Sequence, residues 1–293
     1  MNTIWSDYFQ NIGTLYLSRT LRFSDVYKEK YQSAFCIDDT NRNLKMLEVG
    51  CGPGALTQSL ARWYPNADII GVDRDTSFID FAAQQAPQIQ FVEADATALP
   101  FADNTFDVTI SNTVQEHIEP AKFFGEQLRV LKPGGICLVL SMRRGVSIDA
   151  DCITEENSFE QEIWDRVNRY SQEALQKYAV GQYAMNESEL PLAMEKYGFR
   201  QISTEYLTIN LTPDNPGTSK EQAYAMINAH RQTAIDAVNS IPHTAPGIVS
   251  EEELVQMRER VNQKYDKRIE LYDKGSKQWD TSMSLTMVLR GMK

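Results

Sequence analysis

Cysteine and histidine are scarce in this sequence: four and three among 293 residues. Cys36, Cys51, Cys137 and Cys152 form no CxxC pair and no regular framework, which argues against a disulfide scaffold or a zinc clip. They read as reduced thiols in a reducing compartment. His117, His230 and His243 fall into no HxxxH or HExxH arrangement, so no metal is expected. Long hydrophobic runs are also missing: no apolar stretch approaches the roughly 18–20 residues needed to span a bilayer. The opening MNTIWSDYFQNIG carries an early acid and no basic segment followed by an apolar core, so no secretory signal is read. Positive charge is in deficit, with 29 basic against 40 acidic residues and a net charge of −11. An acidic surface repels phosphate backbones, which excludes nucleic acid as an expected partner. What remains is an ordinary globular composition, 42% apolar and 24% charged, long enough for one large domain or two. The expectation is a cytoplasmic protein with no membrane partner, no internal repeat and no low-complexity tract.

Residues 1–43 read as a helical leader, with Trp5, Tyr8, Phe9, Ile12, Leu15 and Tyr16 at helical spacing. From residue 44 to about 142, the short apolar runs LKMLEVG, ADIIGVD, IQFVEAD, FDVTISN and GICLVLSM are separated by segments with one apolar helical face. Strands alternating with helices give right-handed crossovers and a parallel sheet, so the fold class is α/β, doubly wound. Burial of both sheet faces accounts for strands that are apolar almost throughout. Beyond this block, residues 155–178 carry Phe159, Ile163, Val167, Tyr170, Ala174 and Tyr178 on one helical side. A helix from near Ser188 to Gly198 and a strand over RQISTEYLTI follow, then a break at TPDNPGTS. Helical patterns recur at 219–239 and 250–273, the second with Leu254, Met257, Val261, Tyr265, Ile269 and Tyr272 along one stripe. The final TSMSLTMVLR alternates strictly, which predicts a half-buried antiparallel strand. Residues 44–210 with 279–293 therefore form a core. Residues 211–278 form an insertion, either a cap over a cleft or a buttress.

The strongest local signal is Glu48-Val49-Gly50-Cys51-Gly52-Pro53-Gly54, which ends the first strand and opens a helix. Glycines there let the chain turn sharply and bring a ligand against the backbone. Alone, such a turn fits a plain tight turn or the phosphate loop of a dinucleotide enzyme. The next strand ends in Gly71-Val72-Asp73. An acid about 20 residues after such a turn can accept both hydrogen bonds of a ribose diol, a feature nicotinamide enzymes share. Strand three runs out through Glu93-Ala94-Asp95-Ala96 into Thr97-Ala98-Leu99-Pro100-Phe101. Strand four leads to Asn112 and on to Gln115-Glu116-His117-Ile118, and Leu131-Lys132-Pro133-Gly134-Gly135 precedes strand five.

In this order and spacing, residues 44–142 resemble the class I S-adenosylmethionine-dependent methyltransferases, of the small-molecule type related to the quinone-biosynthetic enzymes. The resemblance implies a seven-stranded, mostly parallel Rossmann-like sheet with an antiparallel last strand, S-adenosyl-L-methionine as cofactor and a small-molecule methyl acceptor. It implies that Glu48, Gly50, Cys51 and Gly52 line the methionine part, and that Asp73 holds the ribose hydroxyls with Arg74 flanking the adenine. Asp95 would accept from the adenine amino group, Ala96 would touch the ring by its amide, and Asn112 would lie near the methyl group. Adenosylmethionine has no pyrophosphate, so acidic hydroxyl acceptors matter more to it than an anion pocket.

Methyl transfer by direct in-line displacement needs alignment more than a covalent partner, and no obligatory catalytic residue stands out. His117 could serve as a general base or simply pack at a helix end. Arg143-Arg144 could meet a substrate carboxylate, although projection into solvent is the plainer reading. In the leader, Tyr8, Tyr16, Arg19 and Arg22 are candidates to reach the cofactor carboxylate, as N-terminal helices of this family do. Two alternatives stay open: an NAD(P)-dependent oxidoreductase, which Pro53-Gly54 and Asp95-Ala96 argue against, and a non-catalytic S-adenosylmethionine-binding protein.

Overall fold

The computed structural model describes residues 6, 11–38, 43–150, 153–177 and 180–293. Trp5, Tyr8, Phe9, Cys152 and Tyr178 lie outside the described residues, as do the side chains of Arg144 and Ala174. Helix α1 (Ile12–Arg22) and a short 3-10 turn (Asp25–Tyr27) lead through α2 (Lys28–Phe35) into the sheet. The alternating block is then β1 (Lys45–Val49), α3 (Ala55–Trp63), β2 (Asp68–Asp73), α4 (Thr76–Gln85), β3 (Gln90–Glu93), β4 (Phe106–Asn112), α5 (Pro120–Val130) and β5 (Leu131–Ala150). After it come α6 (Ser158–Lys177), α7 (Glu189–Lys196), β6 (Arg200–Leu211), α8 (Lys220–Thr244), α9 (Glu251–Asp273) and β7 (Thr281–Met292).

The seven strands run in the order β3-β2-β1-β4-β5-β7-β6. The first five are mutually parallel, and β7 is antiparallel to both of its neighbours. Chain order reverses between β1 and β4, and such a switch point opens a crevice beyond the carboxyl ends of the strands. Helices cover both faces, as the apolar runs require. Phe35, Leu56, Leu60 and Trp63 pack on one side, and Phe123, Phe124, Leu190 and Met194 on the other.

Local chemistry explains the helix ends. Asp75 caps α4 by accepting from the Ser77 amide, and Pro120 fits the first turn of α5, where no donor is needed. Reciprocal Ser219–Gln222 and Ser250–Glu253 boxes open α8 and α9. Gly198 follows α7 at φ +102°, a conformation that stops a helix cheaply only at glycine.

Three expectations change. The last strand is not half-buried: lying between β5 and β6, it is buried on both faces at Thr286–Leu289. Helix α8 does not end at 239 but continues through Pro242 to Thr244, where buried Val238, Ile241 and Ala245 join a cluster with α6 and α9. Arg143 does not project into solvent; it is 7% exposed.

Helices α8 and α9 occupy the interval between β6 and β7 and are tied down by Arg268, whose side chain is fully buried. It pairs with Asp214 at 2.9 Å and Asp280 at 2.6 Å. Helix α8 packs on α1, and the Asn11 amide donates to Asp236 at 3.0 Å. Among the described residues, no helix is long and apolar enough to cross a membrane.

Candidate active site

A cavity of about 420 Å³ opens at the carboxyl ends of β1 to β4, within the roughly 300–1,000 Å³ of small-molecule sites. All nine sequence-predicted residues line it: Glu48, Gly50, Cys51, Gly52, Asp73, Arg74, Asp95, Ala96 and Asn112. The parallel order of the strands brings them together, because each segment's exit falls on the same edge of the sheet.

Gly50 and Gly52 have φ of +72° and +53°. A Cβ on Gly50 would meet Val114 at 2.4 Å, so glycine is required there for space as well as conformation. A Cβ on Gly52 would meet only Leu15, at 3.9 Å, so its open side faces the cavity. Cys51 is buried and contributes bulk: its sulfur stands 3.1 Å from where a Cβ on Gly71 would lie.

Asp73 is fixed from both sides. The Gly52 amide donates to one carboxylate oxygen at 2.8 Å and the Asp75 amide to the other at 3.0 Å. Each oxygen keeps a second lone pair. Burial pushes this carboxyl above its ordinary range. Glu48, 2% exposed, is pushed up to about 8, first by burial and further by the Asp73 charge, against the Thr57 hydroxyl that donates to it at 2.5 Å. Asp95 at the rim differs. Burial raises its carboxyl, but the Thr97 amide and hydroxyl, both at 2.7 Å, outweigh that and hold it below the usual carboxylate range.

Beyond Asn112, Thr113 adopts φ +54°, an unusual conformation for a β-branched residue and a local strain. Its amide donates to the Leu140 carbonyl at 2.8 Å and its hydroxyl to the Asn112 carbonyl at 2.7 Å. The same hydroxyl accepts from Arg19 at 3.2 Å. Arg19 closes the cavity from α1 beside Leu15 and Phe23. Burial and the neighbouring Arg22 lower its guanidinium to about 10, against the charges of Glu116 and Glu48, which raise it. The other leader candidates turn elsewhere: Tyr16 donates to Gln58 at 3.0 Å and Arg22 reaches Met142 at 3.2 Å.

His117 also lines the cavity, and its Nδ1 accepts from the Gly181 amide at 3.0 Å. That bond occupies the Nδ1 lone pair and places the neutral ring's proton on Nε2, which suits a donor better than a general base. Sequence reasoning missed Asp75, Val180 and Tyr183. Asp75 had a visible signal as a helix cap, whereas Val180 and Tyr183 reach the cavity through long-range pairing that no local pattern announces. No lining residue comes from 211–278.

Fold and site together define a Rossmann-like α/β architecture with a small-molecule cavity at the switch point of the sheet. Residues 47–139 match a family model described as a methyltransferase domain. The same part is 40% identical over 96 residues to a demethylmenaquinone methyltransferase of Renibacterium salmoninarum, covering 32% of this chain and 40% of that protein. The curated relatives are thus matched over about two fifths of their length. Among solved structures, phosphoethanolamine N-methyltransferase 2 of Haemonchus contortus, in complex with S-adenosyl-L-methionine, aligns with a TM-score of 0.54 at 17% identity. That alignment covers 99% of this chain and 59% of that one. The [4+2]-cyclase SpnF aligns with a TM-score of 0.50 at 19% identity, over 92% and 80% of the two chains. The structural likeness establishes the fold; a cyclase among the neighbours shows that activity must be argued from the site.

Proposed function

We propose that the cavity binds S-adenosylmethionine and that the protein transfers its methyl group to a small-molecule acceptor by direct in-line displacement. The observation that carries this reading is the acid lining of the glycine turn. A pyrophosphate, which a nicotinamide cofactor would bring there, would face Glu48, the acid just before the turn, beside the Asp73 that either cofactor would use for a ribose. A nucleoside carrying a sulfonium and an ammonium group meets the same carboxylates favourably. When bound, the cofactor supplies an electrophilic methyl carbon: the acceptor's lone pair bonds to it while the carbon–sulfur bond breaks and its electron pair stays on sulfur.

The chain's own part is to bind, align and exclude water. Asp73, already held by two amides, presents its remaining lone pairs to the ribose hydroxyls. Asp95 and Ala96 take the adenine edge, and Arg74 covers its face. Glu48 and the Gly50-Cys51-Gly52 backbone surround the methionine part. Arg19, which reaches the cavity from α1, takes its carboxylate. Asn112, held by the Thr113 turn, stands at the methyl end. Alignment of this kind accounts for roughly 7–11 kcal/mol of barrier lowering in well-oriented systems, so no proton-transfer residue is assigned.

The insertion reads as a buttress: it packs behind α1 and contributes nothing to the lining. The acid-lined cavity also disfavours a polyanionic acceptor, and the free thiols of Cys36, Cys51 and Cys137 suit a cytoplasmic setting.

The test is calorimetric titration with S-adenosylmethionine, S-adenosylhomocysteine and NADH in parallel, on the protein and on Asp73→Ala. Micromolar binding of the adenosyl compounds alone is expected. The variant should lose about 1.5–3 kcal/mol, the worth of hydrogen bonds to a charged group. Binding of NADH alone would overturn the assignment, and unchanged affinity in a folded variant would displace the ribose from Asp73.

A further inference from the structure

One wall of the cavity is not built by the parallel strands. Residues 180–187, between α6 and α7, form no helix or strand, and their Val180 and Tyr183 line the cavity. Residues 182, 184 and 186–187 are exposed, so apolar burial does little to hold the segment in place. Hydrogen bonds do. The Gly181 amide donates to His117 Nδ1 at 3.0 Å and the Tyr183 amide to the Glu116 carbonyl at 2.9 Å. Gln115 Nε2 donates to the Tyr183 carbonyl at 3.1 Å. Arg143 Nη1 donates to the Met185 carbonyl at 3.3 Å and stands 3.5 Å from Glu187 Oε1.

Two of these anchors are costly. Gln115 and Arg143 are 2% and 7% exposed, and neither touches the cavity. Arg143 also donates to Ser141, yet among the described residues its Nε has no partner, and the carboxylate it pairs with, Glu187, is 56% exposed. A buried guanidinium so loosely neutralised is a poor source of stability. What its placement does is fix where the segment lies.

The strand order says which part of the cavity this is. Asp73 and Asp95, the nucleoside-directed acids, stand at the ends of β2 and β3. The anchors rise from the turn after β4 and from β5, on the other side of β1. The wall therefore borders the methyl end at Asn112 and not the adenine end.

We propose that Tyr183 is a specificity-determining residue for the methyl acceptor, offering an aromatic contact to a flat or apolar molecule. Arg143 and Gln115 are the positioning residues that hold it there. This rests on the methyltransferase reading above.

The test needs no knowledge of the acceptor. The probe is an analogue of the cofactor in which nitrogen replaces the sulfonium and carries a benzyl group in place of the methyl, so that the benzyl group reaches into acceptor space. Its Kd is compared by calorimetry with that of S-adenosylhomocysteine. Tyr183→Ala should raise the ratio of the two constants about fivefold, the size of an aromatic contact. Arg143→Met and Gln115→Leu should raise it in the same direction, while the Kd for S-adenosylhomocysteine stays within about twofold. Hydrogen exchange at the Tyr183 amide should accelerate in both, and Arg143→Lys, which keeps a donor, should recover part of the loss. If Arg143→Met fails to fold, Gln115→Leu and Tyr183→Ala carry the test. A ratio unmoved in Tyr183→Ala, or positioning variants that weaken both compounds equally, would overturn the proposal. Failure of the unaltered protein to bind either compound would instead remove the methyltransferase reading, and this inference with it.

Discussion

Glu48→Gln tests the electrostatics of the site most directly. With its carboxyl pushed up to about 8, Glu48 is only about a tenth ionised at pH 7 in the ligand-free protein. The groups facing it are Thr57 from α3, Asp73 from β2 and Arg19 from α1, of which Asp73 raises and the other two lower its proton affinity. A sulfonium and an ammonium arriving beside it favour the ionised form, so binding should expel close to one proton at pH 7. Ionising the group there costs about 1.4 kcal/mol, or tenfold in affinity. Affinity for S-adenosylmethionine should therefore climb about tenfold per pH unit from 6 to 7.5 and level off near 8. Because the ligand's own amino group titrates at roughly 7.7–8.0, the informative quantity is the affinity of the protein divided by that of Glu48→Gln at each pH. Calorimetry at pH 7 in two buffers of different ionisation enthalpy counts the released proton. A ratio flat in pH, or a proton still released by the Gln variant, would refute the argument. The ligand-free fold carries the matching sign. A raised carboxyl stabilises below its unfolded value near 4.5, and that contribution is lost as pH rises through about 8. Glu48→Gln should accordingly melt higher than the parent at pH 8.5.

Arg19→Met should weaken S-adenosylmethionine and S-adenosylhomocysteine alike, by about 1.5–3 kcal/mol, because both carry the carboxylate assigned to it. Equal binding of 5′-methylthioadenosine, which lacks that carboxylate, to variant and parent is the control; a matching loss there would mean that Arg19 holds the fold and not the ligand. Arg268→Met removes the cation from Asp280 and from Asp214, which keeps only the Gln278 and Trp279 amides, and should cost about 3–5 kcal/mol. A melting temperature lowered by roughly 6–15 °C is expected from calorimetric scans, and one within a degree of the parent would contradict the structural role given to the buried triad.

The alternation of apolar runs with helical faces over 44–142 was legible because each strand is short, buried on both sides and separated by a helix with a clear polar face. The nine residues carried over from the methyltransferase resemblance fall around one cavity, since parallel strands deliver every exit to one edge. What stayed hidden depends on partners far away in sequence. TSMSLTMVLR alternates like a half-buried strand, yet it lies between β5 and β6, so Thr286 and Val288 on its other face end up buried as well. The helical pattern of 219–239 continues through Pro242. One lost backbone hydrogen bond in the final turns of α8 is outweighed by burial of Val238, Ile241 and Ala245. Arg143 reads as solvent-facing because nothing nearby in sequence shows that Met185 and Glu187 will come to meet it.

The central place of β7 has a consequence for how the molecule is made. Ile136 pairs with Met292, more than half the chain away, and among the described residues β6 pairs with no strand but β7. Until residues 281–292 leave the ribosome, β6 has no strand to pair with and β5 has an open edge, while the helices between them can already be folding. Closing so long a loop is slow, and an unpaired edge invites other chains. The sheet therefore closes last at β7, and the window between synthesis of β6 and of β7 is when its open edges are exposed to other chains.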